Sequence, residues 1–379
     1  MICFLYINTK YLSLTLIVKK TLFIGRYCQN KISEGPEKVA KKIFSLFTEE
    51  NNTCFIEYFF DGNKYGYCKK LFGKEIITFV NNSPVFRLGL FRILFYILSY
   101  KPDIIHIINF ERFAVIAYLY KTFSNVKIYY SMHGLICYTY SNFEHVGYFQ
   151  KKKDSICEKI FFKKSDIIFV LSDLMKKSII EKFKAKSDDI IIVPNGVEKE
   201  FNDIKKPERT YDILKIIFVS DINRKEKEFN FLLEILENIT IGIELSIVSR
   251  NIKIIRLDND KIVYKFHKTM TSVELANFYM DKDVIISCSS YEPFSMVTVE
   301  GMASGLVPVA TYQTGASEYI RHGENGFLFD FGDKKTFIKI IEMLGKDKEA
   351  VHKLSNNARE IYKILSWENV FIIYKNYYL

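Results

Sequence analysis

Two glutamates, Glu292 and Glu300, have seven residues between them in the run Ser289-Ser290-Tyr291-Glu292-Pro293-Phe294-Ser295-Met296-Val297-Thr298-Val299-Glu300. An apolar run, 284–288, precedes them, and helical spacing follows. Pro293 suits the first turn of a helix, where no amide donor is needed. The amides of Phe294, Ser295 and Met296 would then lie open at the positive end of the helix dipole, ready for a phosphate or sugar oxygen. Carboxylates at two depths suit two polyols, a hexose and a ribose, because a carboxylate accepts from a hydroxyl pair at once. Taken alone, the pair would equally suit a helix cap and a solvated helix face. Two Asp-x-Asp triplets, Asp258-Asn259-Asp260 and Asp281-Lys282-Asp283, resemble divalent-metal ligands, but turn chemistry accounts for both. The six histidines form no spaced metal set, and the seven cysteines include no Cys-x-x-Cys, which speaks for a reducing compartment.

These residues need a frame. From residue 21 onward short Ile/Val-rich runs alternate with amphipathic stretches: strands are expected at 21–25, 55–59, 75–80, 104–108, 126–130, 167–171 and 190–193. After Pro194-Asn195-Gly196 and a polar stretch, 198–211, the alternation restarts, with strands at 215–219, 244–248, 261–266, 284–288 and 307–310. Such alternation predicts an α/β chain of two doubly wound, Rossmann-like units with parallel sheets. Ligands of such sheets sit beyond the carboxyl ends of the strands. The loops at 26–36, 133–140, 220–228, 249–252, 289–295 and 311–316 should therefore line a cleft between the units.

The 379 residues are 49% hydrophobic and 26% charged, which suits two sizeable cores and excludes wholesale disorder. The net charge of +10 suits phosphate-rich partners, or simply lysine on every solvated face. No nucleic-acid recognition motif accompanies it, so a nucleic acid is not expected. Residues 1–20 are apolar but unlike a signal peptide, and read as an appendage or a weak membrane anchor. The stretch 84–100, rich in Phe, Leu, Ile and Tyr, is too short and too charged to span a bilayer. It suits a core helix, or a helix lying on an anionic membrane surface with Lys151–Lys153 and Lys163-Lys164.

The 292–300 segment resembles the E-x7-E signature of family-4 retaining glycosyltransferases, also called group 1 glycosyl transferases, which have the two-domain GT-B architecture. The resemblance extends to Ala303-Ser304-Gly305-Leu306-Val307-Pro308-Val309, Thr314-Gly315-Ala316-Ser317-Glu318, Gly323-Glu324-Asn325-Gly326-Phe327-Leu328, the hinge-like Val193-Pro194-Asn195-Gly196-Val197, Ser366-Trp367, Lys101-Pro102-Asp103-Ile104-Ile105-His106 and His133-Gly134. It implies an acceptor-side domain over 21–197, a nucleotide-sugar domain over 198–365, and a final helix, 366–379, returning to the first.

Carried over residue by residue, the resemblance gives Glu292 the donor sugar and Glu300 the ribose hydroxyls. The amides of Phe294, Ser295 and Met296 would line the diphosphate pocket, and Lys227 would neutralise the diphosphate. Gly35, with Pro36, matches the glycine loop under acceptor and diphosphate, and His133 the histidine beside the reacting sugar. Read without the resemblance, Gly35 is a turn before a helix and His133 a strand-end histidine.

Four departures stand out: Ser220-Asp221 where the family has Gly-Arg, Lys227-Glu228 for Lys-Gly, Ser249-Arg250 where a glycine follows the strand, and Gly35 for a glycine pair. Arg224 is the candidate to replace the missing arginine. The implied activity is metal- and cofactor-independent retaining transfer of a hexose from a nucleotide-diphosphate sugar to a glycan or lipid-linked acceptor for surface polysaccharide. The implied location is the cytoplasm, peripherally at the membrane. The alternatives are an epimerase or phosphorylase on the same fold, or a weakly catalytic nucleotide- or glycan-binding subunit.

Overall fold

A computed structural model of the chain describes residues 19–27, 35–48, 52–59, 65–143, 146–204, 206, 213–253 and 255–378. The expected appendage lies outside them except for Lys19 and Lys20, as do residues 28–34 of the first glycine loop. The first half forms strands β1 (Thr21–Ile24), β2 (Thr53–Tyr58), β3 (Lys74–Val80), β4 (Ser83–Leu88), β5 (Ile104–Ile108), β6 (Lys127–Ser131), β7 (Ile167–Val170) and β8 (Ile190–Ile192). They pair in the order β3-β4-β2-β1-β5-β6-β7-β8. The second half forms β9 (Leu214–Val219), β10 (Ile243–Val248), β11 (Ile262–His267), β12 (Val284–Ser287), β13 (Val307–Thr311) and β14 (Phe327–Phe329), in the order β11-β10-β9-β12-β13-β14. Every pairing in the second sheet is parallel.

The Ile/Val runs are strands because both faces of each sheet are covered, and a continuous apolar run suits a strand buried on both sides. β5, Ile-Ile-His-Ile-Ile, is buried at every position. Helix Gly35–Phe47 and the final helix Trp367–Tyr378 cover one face of the first sheet, packing Val39, Ile43, Phe44 and Phe47 with Trp367, Val370, Tyr374 and Tyr378. The other face carries helices Leu90–Tyr100 and Tyr148–Lys164.

One edge departs from the reading of residues 84–100. They do not form one helix: β4 takes Ser83–Leu88, and the helix begins at Leu90. β4 pairs antiparallel with β3 through a two-residue turn, Asn81-Asn82, with φ of 44° and 67°. Two positive φ values fit the hairpin turn that matches strand twist, and asparagine tolerates that region.

At the Pro194-Asn195-Gly196 turn the two halves and the final helix meet. Val197 donates its amide to the carbonyl of Leu365 at 2.6 Å. A Cβ on Gly196 would lie 2.4 Å from the Trp367 ring, so the indole that opens the last helix packs against bare backbone.

Candidate active site

Helix Met296–Ala303 follows β12 with the bounds its spacing leads one to expect, but Pro293 lies outside its first turn. Ser295 occupies the left-handed region, with φ of 76°, and stops the helix from extending back to the proline. The open amides of the first turn are therefore those of Met296, Val297 and Thr298, since Val299 already donates to Ser295. Of the three amides expected there, Met296 alone belongs to the helix. The Phe294 side chain is buried, and the Ser295 hydroxyl shares a 2.8 Å hydrogen bond with that of Thr298. Non-glycine residues in this region are strained and gather at functional sites.

Glu292 is fixed by strand-like pairing with the loop after β13. Its amide donates to Gln313 and its carbonyl accepts from Gly315, both at 2.9 Å. Its carboxylate meets the Lys227 ammonium at 2.5 Å and accepts from the Ser289 hydroxyl at 3.0 Å. Lys227 lies on a short 3-10 turn, Lys225–Lys227, in the loop beyond β9. Burial pushes the Glu292 carboxyl up, but the ammonium of Lys227, hydrogen bonds from Lys227 and Ser289, and the charge of Arg224 outweigh it. The carboxyl therefore sits below the ordinary glutamate range. Arg224, half exposed on the same loop, pairs with Glu226 at 2.6 Å. Its charge also acts on the Glu292 carboxylate.

Glu300 lies further along the same helix. Burial pushes its carboxyl up to about 7; Lys38 opposes this, and Glu198 and Glu200 add to it. Lys38 is in the first turns of the helix that Gly35 and Pro36 open, so the charge at that end of the helix acts on the Glu300 carboxylate. Among the described residues nothing lies within 4 Å of a Cβ placed on Gly35.

His133 follows β6 on the same edge of the first sheet. Burial lowers its pKa to about 4, so its ring is neutral at neutral pH. Its Nε2 is covered and has no hydrogen-bond partner among the described residues. Glu292, Lys227 and Arg224 thus converge, Glu300 lies on the helix they border, and no hydrogen bond or ion pair joins His133 to them among the described residues.

The departures from the family pattern acquire roles. Asp221 ties the loops beyond β9 and β10 together by accepting from Asn223 at 3.0 Å and Asn251 at 2.8 Å. Arg250, the other departure, lends its positive charge to the same carboxylate. Glu228 keeps the left-handed conformation, φ 54°, that a glycine would take without strain.

Sequence reasoning missed Tyr138, on helix Ile136–Asn142. Its ring centroid lies 4.4 Å from that of Tyr291, beside Glu292, and the Lys182 ammonium stands 3.7 Å above it. The available signal was its place in the 133–140 loop. The Asp-x-Asp at 281–283 is occupied otherwise: Lys215 pairs with Asp281 at 2.9 Å and its amide donates to Asp283 at 3.0 Å.

Two similar parallel-sheet halves facing across a cleft, with an acid–base pair at the mouth of one strand, define the GT-B fold. The family model of glycosyl transferases group 1 matches residues 199–361, and that of glycosyltransferase family 4 matches residues 71–201. The chain belongs to this family of group 1, family-4 glycosyltransferases. It is 35% identical over 78 residues to the lipopolysaccharide core biosynthesis glycosyltransferase LpsE of Rhizobium meliloti, 21% of this chain and 23% of that protein. The chain thus spans about a fifth of the length of the curated relatives it matches first, LpsE and the Bacillus subtilis protein EpsD. An uncharacterized 41.2 kDa protein in the cps region of Klebsiella pneumoniae is 24% identical over 76% of this chain and 83% of its own length. Among solved structures, Anabaena HepE in complex with UDP and glucose superimposes with a TM-score of 0.70 at 15% identity, over 95% of this chain and 100% of that one.

Proposed function

We propose that the protein is a retaining glycosyltransferase that moves a hexose from a nucleotide-diphosphate sugar to a glycan or lipid-linked acceptor in surface polysaccharide synthesis. The observation that carries this reading is the Lys227–Glu292 pair at the mouth of the cleft, with Arg224 beside it. HepE, of the same fold, was solved with UDP-glucose, and LpsE is named for lipopolysaccharide core biosynthesis.

Breaking the sugar–phosphate bond builds positive charge at the anomeric carbon and negative charge on the leaving diphosphate. Fixed cations aimed at that charge lower the barrier. Lys227 and Arg224 take this role in place of a divalent ion, with the first-turn amides at Met296 adding the helix dipole. Glu300 accepts from the ribose hydroxyl pair and Glu292 from the donor sugar. Neutral His133 lies on the sugar's side, and Gly35 and Pro36 leave room for acceptor and diphosphate. The acceptor oxygen attacks on the face the phosphate leaves, the carbon–phosphate-oxygen bond breaks, and the leaving phosphate takes the acceptor proton. The epimerase, phosphorylase and binding-subunit readings are not favoured: the family models and relatives matched are glycosyltransferases.

The membrane part of the reading rests on helix Leu90–Tyr100. Phe91, Phe95 and Leu98, at helical spacing, are 52%, 67% and 43% exposed, and Phe91 stacks on exposed Phe72 at 5.1 Å. Lys69 and Lys70 share the short helix Tyr67–Phe72 with Phe72, and Arg92 donates to the Phe72 carbonyl at 3.3 Å. Among the described residues no helix is long and apolar enough to cross a membrane. The stripe suits peripheral binding to an anionic leaflet at the cytoplasmic side.

The test is a thermal-shift screen against UDP-, GDP- and ADP-linked hexoses, followed by turnover of the stabilising donor with and without EDTA. Stabilisation by one donor and EDTA-resistant turnover are expected, with retained anomeric configuration by NMR. No stabilisation by any donor ends the reading.

A further inference from the structure

Ser172 belongs to the first half, yet it reaches into the donor loop of the second. It follows β7, is fully buried, and starts helix Asp173–Phe183. Its Oγ accepts from the amide of Met175 at 3.3 Å and donates to the carbonyl of Pro293 at 2.7 Å. Glu318 adds a second crossing: its Oε1 accepts from the amides of Asp173 and Leu174 at 2.7 and 3.3 Å. A carboxylate of one half thus caps a helix of the other.

Gly315 sits between these bonds. A Cβ there would lie 2.2 Å from the Pro293 carbonyl oxygen and 2.7 Å from the Ser172 Cβ. Glycine is what lets Ser172 reach the loop. The contact leads directly to Glu292, whose carbonyl accepts from the Gly315 amide at 2.9 Å. Thr314 Oγ1 donates to the Phe294 carbonyl at 3.2 Å, closing the other side. A shift at Pro293 therefore moves the backbone of Glu292.

We propose that Ser172 is a positioning residue for the transfer: its hydroxyl holds the Glu292–Pro293 segment in place, so the acceptor-side half completes the donor loop of the other half. This rests on the transferase reading above. The hydroxyl touches no reacting atom. Its effect falls on the reaction step more than on donor binding, which the second half supplies. Nucleotide sugar is then activated fully only where the two halves are packed together, which limits its loss to water.

The experiment begins with wild-type protein and the UDP-, GDP- and ADP-linked hexoses; if it binds and turns over none of them, the transferase reading fails first. With a donor identified, kcat, KM for that donor and the thermal midpoint are measured for wild type, Ser172→Ala, Ser172→Thr and Gly315→Ala. Ser172→Ala should lower kcat about 5–10-fold, the weight of one lost neutral hydrogen bond, with KM nearly unchanged. Ser172→Thr, which keeps the hydroxyl, should recover most of it. Gly315→Ala, which wedges a methyl between Ser172 and the Pro293 carbonyl, should reproduce the loss. Wild-type kcat in both alanine variants overturns the proposal, and so does a loss that follows the unfolded fraction and is not restored by threonine.

Discussion

Lys227 and Glu292 lie 65 positions apart in sequence and 2.5 Å apart in space. Each side chain is about one-seventh exposed, 14% and 13%, so each charge depends on the other for much of its solvation. In the proposed reaction the donor diphosphate competes with Glu292 for the same ammonium, and the ion pair holds that cation in place beforehand.

Lys227→Ala should lower transfer by about 100-fold or more, the scale of losing one fixed group aimed at developing charge. It should also destabilise the protein by on the order of 3 kcal/mol, because Glu292 is left partly buried without its partner. Adding Glu292→Gln should restore most of that stability and none of the activity. Urea unfolding and steady-state kinetics on the two variants separate the effects.

Glu300 gives a pH signature. Its carboxyl, ordinarily near 4.5, is raised to about 7 by burial. Between those values the unfolded chain gives up this proton while the folded one keeps it, so stability falls as pH rises through the window. Glu300→Gln should flatten that part of the thermal midpoint curve and raise the midpoint at pH 8. If the carboxylate form holds the ribose, wild-type affinity for the nucleoside diphosphate should rise through pH 7, and the glutamine variant should bind more weakly without that rise. Calorimetry across pH 5.5–8.5 checks both.

Glu228 carries strain where its family has glycine. Glu228→Gly should stabilise the protein by about 1 kcal/mol, the usual cost of holding an ordinary residue in the left-handed region less glycine's entropy. Lys227 lies next to it, so the readout is the urea midpoint with kcat measured in parallel. A fall in stability would mean that the Glu228 side chain supplies more than its backbone costs.

The aromatic contact between Tyr138 and Tyr291 joins the two halves beside Glu292. Its coupling energy should be about 0.5–1.5 kcal/mol in a double-alanine cycle on urea unfolding. A value near zero would mean that the rings touch without holding the halves together.

Replacing Phe91, Phe95 and Leu98 by serine should abolish flotation with vesicles rich in phosphatidylglycerol and leave the thermal midpoint nearly unchanged, since all three side chains already face water. Wild type should float at low salt, release as salt rises, and ignore neutral vesicles. Absence of wild-type binding at low salt ends the peripheral-membrane reading.

The strands were legible because buried parallel strands spell themselves as Ile/Val runs; Ile104–Ile108 matches its expected bounds. Helix Tyr148–Lys164 was not read at all. Its buried face mixes Asp154 and Glu158 with Phe161 and Phe162, which breaks the apolar period. Those acids are held by partners remote in sequence: Glu158 accepts from the Ile136 amide at 2.9 Å, and Asp154 pairs with Arg112. The β3–β4 turn was missed because Asn-Asn is a weaker hairpin signal than Asn-Gly. In the site, Glu292, Glu300 and Lys227 were visible as a motif. The left-handed Ser295, which keeps Pro293 out of the first helical turn, was hidden, because a serine carries no local mark of a positive φ. The crossing from Ser172 to Pro293 spans 121 positions and has no local mark.

The final helix has a consequence for how the molecule is made. Tyr378 ends against His106 of the central strand β5, and Tyr374 lies 4.9 Å from the ring of Phe169 on β7. The ribosome delivers those tyrosines only after the entire second unit. Until they emerge, one face of the earliest-made sheet stays uncovered, so the nascent amino-terminal half should need shelter from chaperones while the carboxyl-terminal half is still being synthesised.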